Sequence, residues 1–281
     1  MDNNIINLWD SGKAKAVKSK EFLRLLDLLK KSSGLVIAFS GGADSAFLLA
    51  AARIAGVTPV LPVTIVSDFF TVKEKERVIR LGQYLGVDPI LVSANILDDV
   101  RVTRNTDRRC YFCKLFLFSM VAEVAKKHGI HTLVHGVTLD DLQEYRPGIQ
   151  AARELGFETP LVEAGFTKHK IRECSKMLGL ETWNLPAQSC LATRIPQGDI
   201  ITKEKLVKVE RTESCLHGLG FSQVRVRCHG DMARIEAVPD ELHRFGEPAV
   251  RQAVVQAFKG VGFLSVCLDL EGYSSACVIA K

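Results

Sequence analysis

One local pattern constrains the fold of this chain more than any other: a short apolar run that ends in two glycines and continues into a helix-forming stretch. Residues 35–39 are LVIAF, residues 40–45 are SGGADS and residues 46–56 are AFLLAAARIAG. The apolar run predicts a buried strand, and the last stretch predicts a helix that Gly56 stops. Glycines between a strand and a helix let the backbone approach an anion, and the helix start offers free N–H groups. The pattern therefore predicts an anion-binding loop.

Strand-like and helix-like segments alternate along the first two thirds of the chain. Further strands are predicted at 59–66, 88–94 and 131–136, and further helices near 20–31, 71–86 and 110–128. This alternation indicates an α/β fold, a parallel sheet with helices on both faces. Ligands of such sheets bind at the carboxyl ends of the strands. We therefore expect the SGGADS loop and the segment after HTLVHG to contribute to one site.

The pattern changes after about residue 195. A helix-like stretch precedes two short alternating stretches, QVRVRC and ARIEAV, which His229, Gly230 and Asp231 join as a plausible hairpin turn. A helix near 248–259 and a last strand in GFLSVCLDL follow. We therefore predict two domains, residues 1–194 and a smaller α+β domain, residues 195–281.

Composition narrows the possible partners. Of the 281 residues 47% are hydrophobic, and the net charge of +5 comes without a dense basic run. This mild bias is compatible with an anionic nucleotide substrate and is too weak to argue for a nucleic-acid partner. We expect a small-molecule nucleotide substrate and no nucleic-acid partner. No apolar run approaches the roughly 20 residues of a membrane span, and the N-terminus lacks a signal-peptide pattern. We therefore expect a cytoplasmic protein without a membrane partner, whose eight cysteines are reduced.

The loop itself carries the first candidate site residues. Gly41 and Gly42 allow close backbone approach, Ser40 and Ser45 add hydroxyl donors, and Asp44 is a candidate to orient donors or hold magnesium. A simple strand–turn–helix connection without a ligand is the alternative. The motif lacks the lysine of a Walker A loop and resembles the signature of the ATP-pyrophosphatase (PP-loop) superfamily, whose fold is adenine nucleotide alpha hydrolase-like. The resemblance implies binding of ATP and Mg²⁺, release of pyrophosphate and transfer of AMP to the substrate, with Asp44 catalytic.

Three further motifs narrow the resemblance. They are DRRCYFCK, HGVTLDDLQEYRPGIQAARELG and SCLATRIPQG. Together with the loop they resemble the LarE family, ATP-dependent sulfur transferases of nickel-pincer nucleotide biosynthesis, over most of the chain. The resemblance implies adenylation of a carboxylate of pyridinium-3,5-biscarboxylic acid mononucleotide, its conversion to a thiocarboxylate, and a hexamer. The chemistry is consistent, because AMP is a stable leaving group that a sulfur nucleophile can displace.

Three cysteines lie within these motifs. Cys110 and Cys113 form a C-x-x-C pair, which alone predicts a redox pair, half a zinc site or core packing. The LarE resemblance implies that they and Cys190 hold a 4Fe–4S cluster whose fourth iron carries a replaceable sulfide, supplied by sulfide or a sulfur-donor protein. The alternatives are zinc, with His135 as a possible fourth ligand, and a catalytic Cys190 that sacrifices its own sulfur.

The remaining five cysteines each lie alone in helix-like or strand-like segments and are expected to be buried and inert. They are Cys174, Cys215, Cys228, Cys267 and Cys277.

Charged residues outside the loop complete the predicted site. Arg225 and Arg227 alternate on one strand and so share a face, which suits either a phosphate or solvent. The LarE resemblance implies that these two and Arg194 bind the substrate phosphate, with Glu213 nearby. Asp140 and Asp141 follow a predicted strand, where they either meet ribose or magnesium or cap the next turn.

Two other functions compete with the sulfur transferase. A PP-loop tRNA thiolase also combines such a loop with three cysteines, although the modest charge and the RPGIQAARELG match argue against it. The other is a non-catalytic iron–sulfur or nickel carrier that ATP regulates.

Overall fold

The structure is a computed structural model that describes residues 19–186 and 189–273. The helices are α1 (Lys20–Leu29), α2 (Ala43–Ile54), α3 (Val72–Tyr84), α4 (Val100–Thr103), α5 (Arg109–Lys127), α6 (Pro147–Glu154), α7 (Pro160–Ala164), α8 (Lys168–Leu178), α9 (Lys203–Gly218) and α10 (Pro248–Gly260). The strands are β1 (Leu35–Ala38), β2 (Val60–Val66), β3 (Ile90–Ser93), β4 (Leu133–His135), β5 (Val224–His229), β6 (Met232–Ala237) and β7 (Ser265–Leu268). Short 3-10 helices lie at Ile96–Asp98, Asp140–Gln143, Glu181–Asn184, Leu191–Arg194 and Pro239–Gly246.

The chain divides into two compact units. The first takes the described residues of Met1–Ser67, Val72–Ala94 and Cys110–Gln188, and the second those of Asp68–Thr71, Asn95–Arg109 and Ser189–Lys281. The sequence predicted a single boundary after residue 194. The longest segment of the second unit is Ser189–Lys281, and the unit also takes in two short segments from earlier in the chain. The domain bounds stay a prediction.

The sheet of the first unit is parallel and has the strand order β3-β2-β1-β4. β1 lies between β2 and β4, with Val36 opposite both Leu61 and Leu133. The consecutive residues Leu35, Val36 and Ile37 are fully buried, so both faces of the strand are covered, as an apolar run without alternation predicts. With helices flanking the sheet, the predicted α/β fold is confirmed.

Helix α2 directly follows the glycine loop and is almost entirely buried. Residues 45–52 are all buried, and the Phe47 ring lies 6.0 Å from that of Phe22 and 5.0 Å from that of Phe166. The alanine-rich, apolar sequence of α2 allows this close packing on several sides. This packing holds the N-terminus of α2 next to the C-terminal end of β1.

The second unit contains a mixed three-stranded sheet of order β5-β6-β7, as expected for a smaller α+β domain. β5 and β6 form an antiparallel hairpin in which His229 pairs with Met232. Gly230 occupies the turn with φ +60°, a conformation that favours glycine, so the predicted hairpin is confirmed. β7 is also confirmed, and it pairs in parallel with β6.

None of the helices within residues 19–186 and 189–273 combines the length and the apolar character needed to cross a bilayer.

Candidate functional site

The glycine loop of the first unit connects β1 to α2 through a shape that requires glycine. Gly41 has φ +70°, and a Cβ added there would lie 2.8 Å from Cγ2 of Val78. Gly42 is the N-cap of α2 and contributes no side-chain hydrogen bond to the first amides of the helix. The N–H groups and the positive dipole end of a 12-residue helix therefore remain directed at this loop.

Hydrogen bonds within the loop hold this shape. The hydroxyl groups of Ser40 and Ser45 lie 3.2 Å apart, and Ser45 Oγ also donates to the Gly42 carbonyl at 3.2 Å. From α3, Arg77 Nε donates to the Gly41 carbonyl at 3.0 Å. The loop is thus fixed from its own side chains and from a neighbouring helix.

The end of β4 meets the start of α2. A Cβ added to Gly136 would lie 3.0 Å from the Ser45 amide nitrogen and 3.2 Å from Cβ of Asp44. Glycine therefore allows a closer approach here than a residue with a Cβ would. The structure places the two predicted strand ends side by side, since β1 and β4 are neighbours in the sheet.

Asp44, in the first turn of α2, has the most perturbed carboxyl group of this region. Burial and, secondarily, the charge of Asp141 raise its pKa to about 6, against the opposing charges of Lys168, Arg146 and Arg172. A carboxyl group with a raised pKa beside a second acid is a common feature of functional sites. A bound cation would lower the pKa of Asp44, because its positive charge would stabilise the ionised carboxylate.

Asp141, in contrast to Asp44, has a lowered pKa and is ionised. It is buried, which raises the pKa, but hydrogen bonds from Lys168 and Thr138 and the charge of Arg146 outweigh burial and lower it overall. Its Oδ1 lies 2.8 Å from Nζ of Lys168 and 2.9 Å from Nη1 of Arg146, while Oδ2 accepts from the amide and hydroxyl groups of Thr138. Two cations are therefore held beside Asp44.

Asp140 has a structural role in this arrangement. Its Oδ2 accepts a 2.7 Å hydrogen bond from the Lys168 amide at the start of α8. The carboxylate thereby ties the 3-10 helix after β4 to α8, a capping contact of the kind that was the alternative to ribose or magnesium binding. Lys168 is held at its backbone by Asp140 and at its ammonium group by Asp141.

His135, the last residue of β4, is buried in an aromatic environment. Its ring packs edge-on against Phe118 and Phe157, with centroid distances of 5.5 and 5.9 Å. Burial, followed by the charge of Lys114, lowers its pKa to about 4. The imidazole is therefore neutral, and its described contacts are packing contacts.

The C-x-x-C pair lies at the start of α5. Cys110 is exposed and Cys113 is half-buried, and a spacing of three residues puts both on one helix face. A Cβ on Gly148 would lie 2.8 Å from Cγ of Lys114 and 3.7 Å from the Cys110 carbonyl oxygen. The glycine of the RPGIQ segment therefore lets α6 approach α5 beside the cysteines.

Cys190 belongs to the second unit, where it is exposed and serves as the N-cap of the 3-10 helix Leu191–Arg194. Among the described residues, no three His, Cys, Asp or Glu side chains are grouped as a metal site. Because Cys110 and Cys113 belong to the first unit and Cys190 to the second, the three-cysteine cluster stays a prediction.

Arg194 is buried and holds the backbone around Cys190. Its Nη1 donates to the carbonyls of Ser189 and Cys190 at 2.6 and 2.9 Å, and contacts the Thr193 hydroxyl at 3.1 Å. Its Nε and Nη2 donate to the two carboxylate oxygens of Glu213 at 2.9 and 3.0 Å. Predicted as a phosphate ligand, this guanidinium is occupied by protein groups.

Arg225 and Arg227 share one face of β5 but differ in their partners. Arg227 makes two 2.9 Å hydrogen bonds to Glu236 and donates to the Thr193 carbonyl at 2.7 Å. Arg225 is buried, donates to the Val224 carbonyl at 2.8 Å, and lies 5.1 Å from the centroid of the Tyr273 ring. Burial and then the charge of Arg194 lower its pKa.

Two residues that hydrogen-bond to the backbone of residues 192–196 were not predicted from the sequence. Asn105 is buried with φ +52°, and its Nδ2 donates to the carbonyls of Ile195 and Pro196 at 3.2 and 2.7 Å. Arg109 Nη1 donates to the Ala192 carbonyl at 2.9 Å and to Oδ1 of Asn105 at 2.6 Å. Their proximity to the C-x-x-C pair in sequence was the available signal.

The other cysteines require one correction. Cys174 and Cys228 are buried as expected, and burial raises the pKa of both thiols; it also raises that of the half-buried Cys215. Cys267 is exposed, so its predicted burial is wrong. It lies on β7, which has a sheet neighbour on one side within the described residues. Cys277 lies outside the described residues.

A central parallel strand, a glycine loop and a following helix N-terminus beside two aspartates define an α/β protein of the PP-loop class. No protein-family model matches the chain. An uncharacterized protein of Synechocystis sp. is 41% identical over 85% of this chain and 90% of its own length. An uncharacterized protein of Methanocaldococcus jannaschii is 28% identical over 91% of this chain and 98% of its own length.

A third relative carries a functional name. The pyridinium-3,5-bisthiocarboxylic acid mononucleotide synthase of Lactiplantibacillus plantarum is 34% identical over 89% of this chain and 91% of its own length. The chain belongs to the family of this synthase, the LarE family.

Proposed function

We propose that this protein is an ATP-dependent sulfur transferase that makes a thiocarboxylate from pyridinium-3,5-biscarboxylic acid mononucleotide, for nickel-pincer nucleotide synthesis. The observation that carries the proposal is the likeness to the named synthase, which extends over 89% of this chain. The glycine loop and the arginine-rich strand β5 offer separate places for ATP and for a second phosphate-bearing ligand.

In the first half-reaction, a substrate carboxylate oxygen attacks the α-phosphorus of ATP and pyrophosphate leaves. Ser40, Ser45 and the first amides of α2 hold the phosphates, and Lys168 and Arg146 neutralise their charge. Asp44 would help to hold Mg²⁺, which would supply positive charge to the ATP phosphates. The raised pKa of Asp44 fits a cation ligand, because an ionised carboxylate there is short of compensating positive charge.

In the second half-reaction, a sulfur nucleophile attacks the activated carbonyl carbon, and AMP leaves with the carbon–oxygen electron pair. The thiols of Cys110, Cys113 and Cys190 suit a 4Fe–4S cluster, since each has at least partial exposure and the first two share a helix face. Such a cluster would supply a replaceable sulfide, renewed by free sulfide or a sulfur-donor protein.

The test is anaerobic reconstitution with iron and sulfide, followed by incubation with ATP, Mg²⁺ and the biscarboxylic acid mononucleotide. We expect about four irons per chain, substrate-dependent pyrophosphate release and several thiocarboxylate products per enzyme. One product per chain with Cys190 converted to dehydroalanine would support a sacrificial cysteine. Pyrophosphate release that does not depend on the mononucleotide would contradict the proposed substrate. Specific binding of tRNA by the protein in a filter-binding assay would contradict it as well.

A further inference from the structure

The backbone around Cys190 is connected to β5 through one buried ion pair. Glu213 Oε1 accepts a hydrogen bond from the Val226 amide at 3.0 Å, and the same carboxylate binds Arg194 through both oxygens. Arg194 in turn donates to the carbonyls of Ser189 and Cys190. Its side chain is 5% exposed and that of Glu213 is 10% exposed, so both charges are removed from water.

We infer that the Glu213–Arg194 pair positions Cys190 for sulfur transfer and does not bind the substrate phosphate. The inference rests on the proposed function, because it assigns a role within the second half-reaction. A guanidinium has five N–H donors in a fixed fork. Here Nε and Nη2 are directed at Glu213 and Nη1 at the backbone of the Cys190 segment, which leaves little capacity for a phosphate.

Two other arginines of the second unit reinforce this segment. Arg109 donates to the Ala192 carbonyl and Arg227 to the Thr193 carbonyl, at 2.9 and 2.7 Å. Together with Arg194 they bind the carbonyls on both sides of Cys190. Hydrogen bonds from planar guanidinium groups to these carbonyls fix the direction of the Cα–Cβ bond of Cys190, and hence the region that its sulfur can reach.

Arg225 differs from Arg194 and Arg227 in its partners, and this difference makes Arg225 the better candidate to bind the substrate phosphate. Arg194 and Arg227 each bind a carboxylate through two hydrogen bonds. Arg225 donates a hydrogen bond to the Val224 carbonyl. Within the described residues, no carboxylate forms an ion pair with Arg225. Its guanidinium retains N–H donors that no carboxylate accepts from, and a phosphate can accept hydrogen bonds from them.

The test compares Arg194→Lys and Glu213→Gln, with Glu204→Gln as a matched control on the exposed side of the same helix. Lysine keeps the positive charge, but its three donors cannot reproduce the two hydrogen bonds to Glu213 together with those to the two carbonyls. Glutamine keeps an acceptor for the Val226 amide but loses the charge. The measurements are the mononucleotide Kd, the rate of pyrophosphate release, and the single-turnover rate of thiocarboxylate formation.

We expect thiocarboxylate formation to fall about 100-fold in Arg194→Lys and about tenfold in Glu213→Gln, as for a displaced reacting group. The mononucleotide Kd and the pyrophosphate release rate should stay within about twofold of wild type in both variants. The opposite pattern would overturn the inference: tighter mononucleotide binding in Glu213→Gln, where a freed guanidinium gains an anion, or equal losses in both half-reactions.

Hydrogen exchange separates this inference from the proposed function. Amides of residues 190–194 should exchange at least about tenfold faster in Arg194→Lys than in wild type, with other segments unchanged. If wild-type protein forms no thiocarboxylate, the proposed function fails while this measurement still reports whether the pair holds the Cys190 segment. Unchanged exchange in both variants would refute the positioning role directly.

Discussion

Replacing Asp44 by asparagine should stabilise the ligand-free protein at neutral pH, although Asp44 lies in the proposed ATP site. Burial and the charge of Asp141 raise the pKa of Asp44 from 3.8 to about 6. The folded state therefore binds this proton more tightly than the unfolded state does. An isosteric amide removes the charge and keeps the shape of the side chain.

The size and the pH window of the effect follow from that pKa. Below about pH 4 the carboxyl group is protonated in both states, so its ionisation costs the folded state nothing. As pH rises from about 4 to about 6 the cost grows, and above about 6 it is constant. Two pKa units at about 1.4 kcal/mol each give about 3 kcal/mol, an order-of-magnitude value. Asp44→Asn should gain up to this amount at pH 8 and almost none near pH 4.

The assay is urea unfolding at several pH values in EDTA, followed by circular dichroism and tryptophan fluorescence. Asp27→Asn on α1 is the control, because Asp27 is exposed and its replacement should change the free energy of unfolding by less than about 0.5 kcal/mol. If Asp44→Asn lowers stability at pH 8, or shifts it equally at pH 4.5 and pH 8, the assigned cause of the raised pKa is wrong.

Four further outcomes are expected. Asp44→Ala should abolish pyrophosphate release without loss of the circular dichroism signal; release at the wild-type rate would exclude a role in adenylation. Arg225→Ala should raise the mononucleotide Kd tenfold or more, about 1.5–3 kcal/mol, and leave ATP binding nearly unchanged, whereas Arg251→Ala on the exposed side of α10 should affect neither. Cys110→Ala should lower the iron content after reconstitution, and full retention of iron would remove Cys110 from the cluster. Gly41→Ala should cost about 2–4 kcal/mol of stability from backbone strain plus the clash with Val78; Gly56→Ala, with φ +75° and open space, should show the strain alone.

The sequence predicted most of the fold because the decisive signals are local. Apolar runs identified β1 to β4, and Gly230 identified the hairpin turn between β5 and β6. The parallel pairing of β7 with β6 was not predicted, since nothing in a four-residue strand specifies which edge it joins. The exposure of Cys267 on this strand was missed as well.

The site was predictable in its residue types but not in their partners. Lys168 contacts Asp141 across 27 residues, and no periodicity links the two. Asn105 shows the same limitation, because its left-handed conformation and its hydrogen bonds to Ile195 and Pro196 depend on a segment 90 residues away. Local patterns therefore indicated the candidate site residues but not the residues that contact them.

Arg194 illustrates why charge alone leaves two roles open. A cationic residue four positions after an exposed cysteine is equally consistent with binding an anionic ligand and with binding backbone carbonyls. The outcome depends on whether a carboxylate neutralises it, and Glu213, 19 residues later on α9, does so. Breaking a buried pair of this kind leaves an uncompensated charge and costs about 3–5 kcal/mol, so the pair resists rearrangement when a phosphate arrives. A group that must exchange partners during a reaction cannot be held so tightly, whereas a group that must keep a sulfur atom in place gains from it.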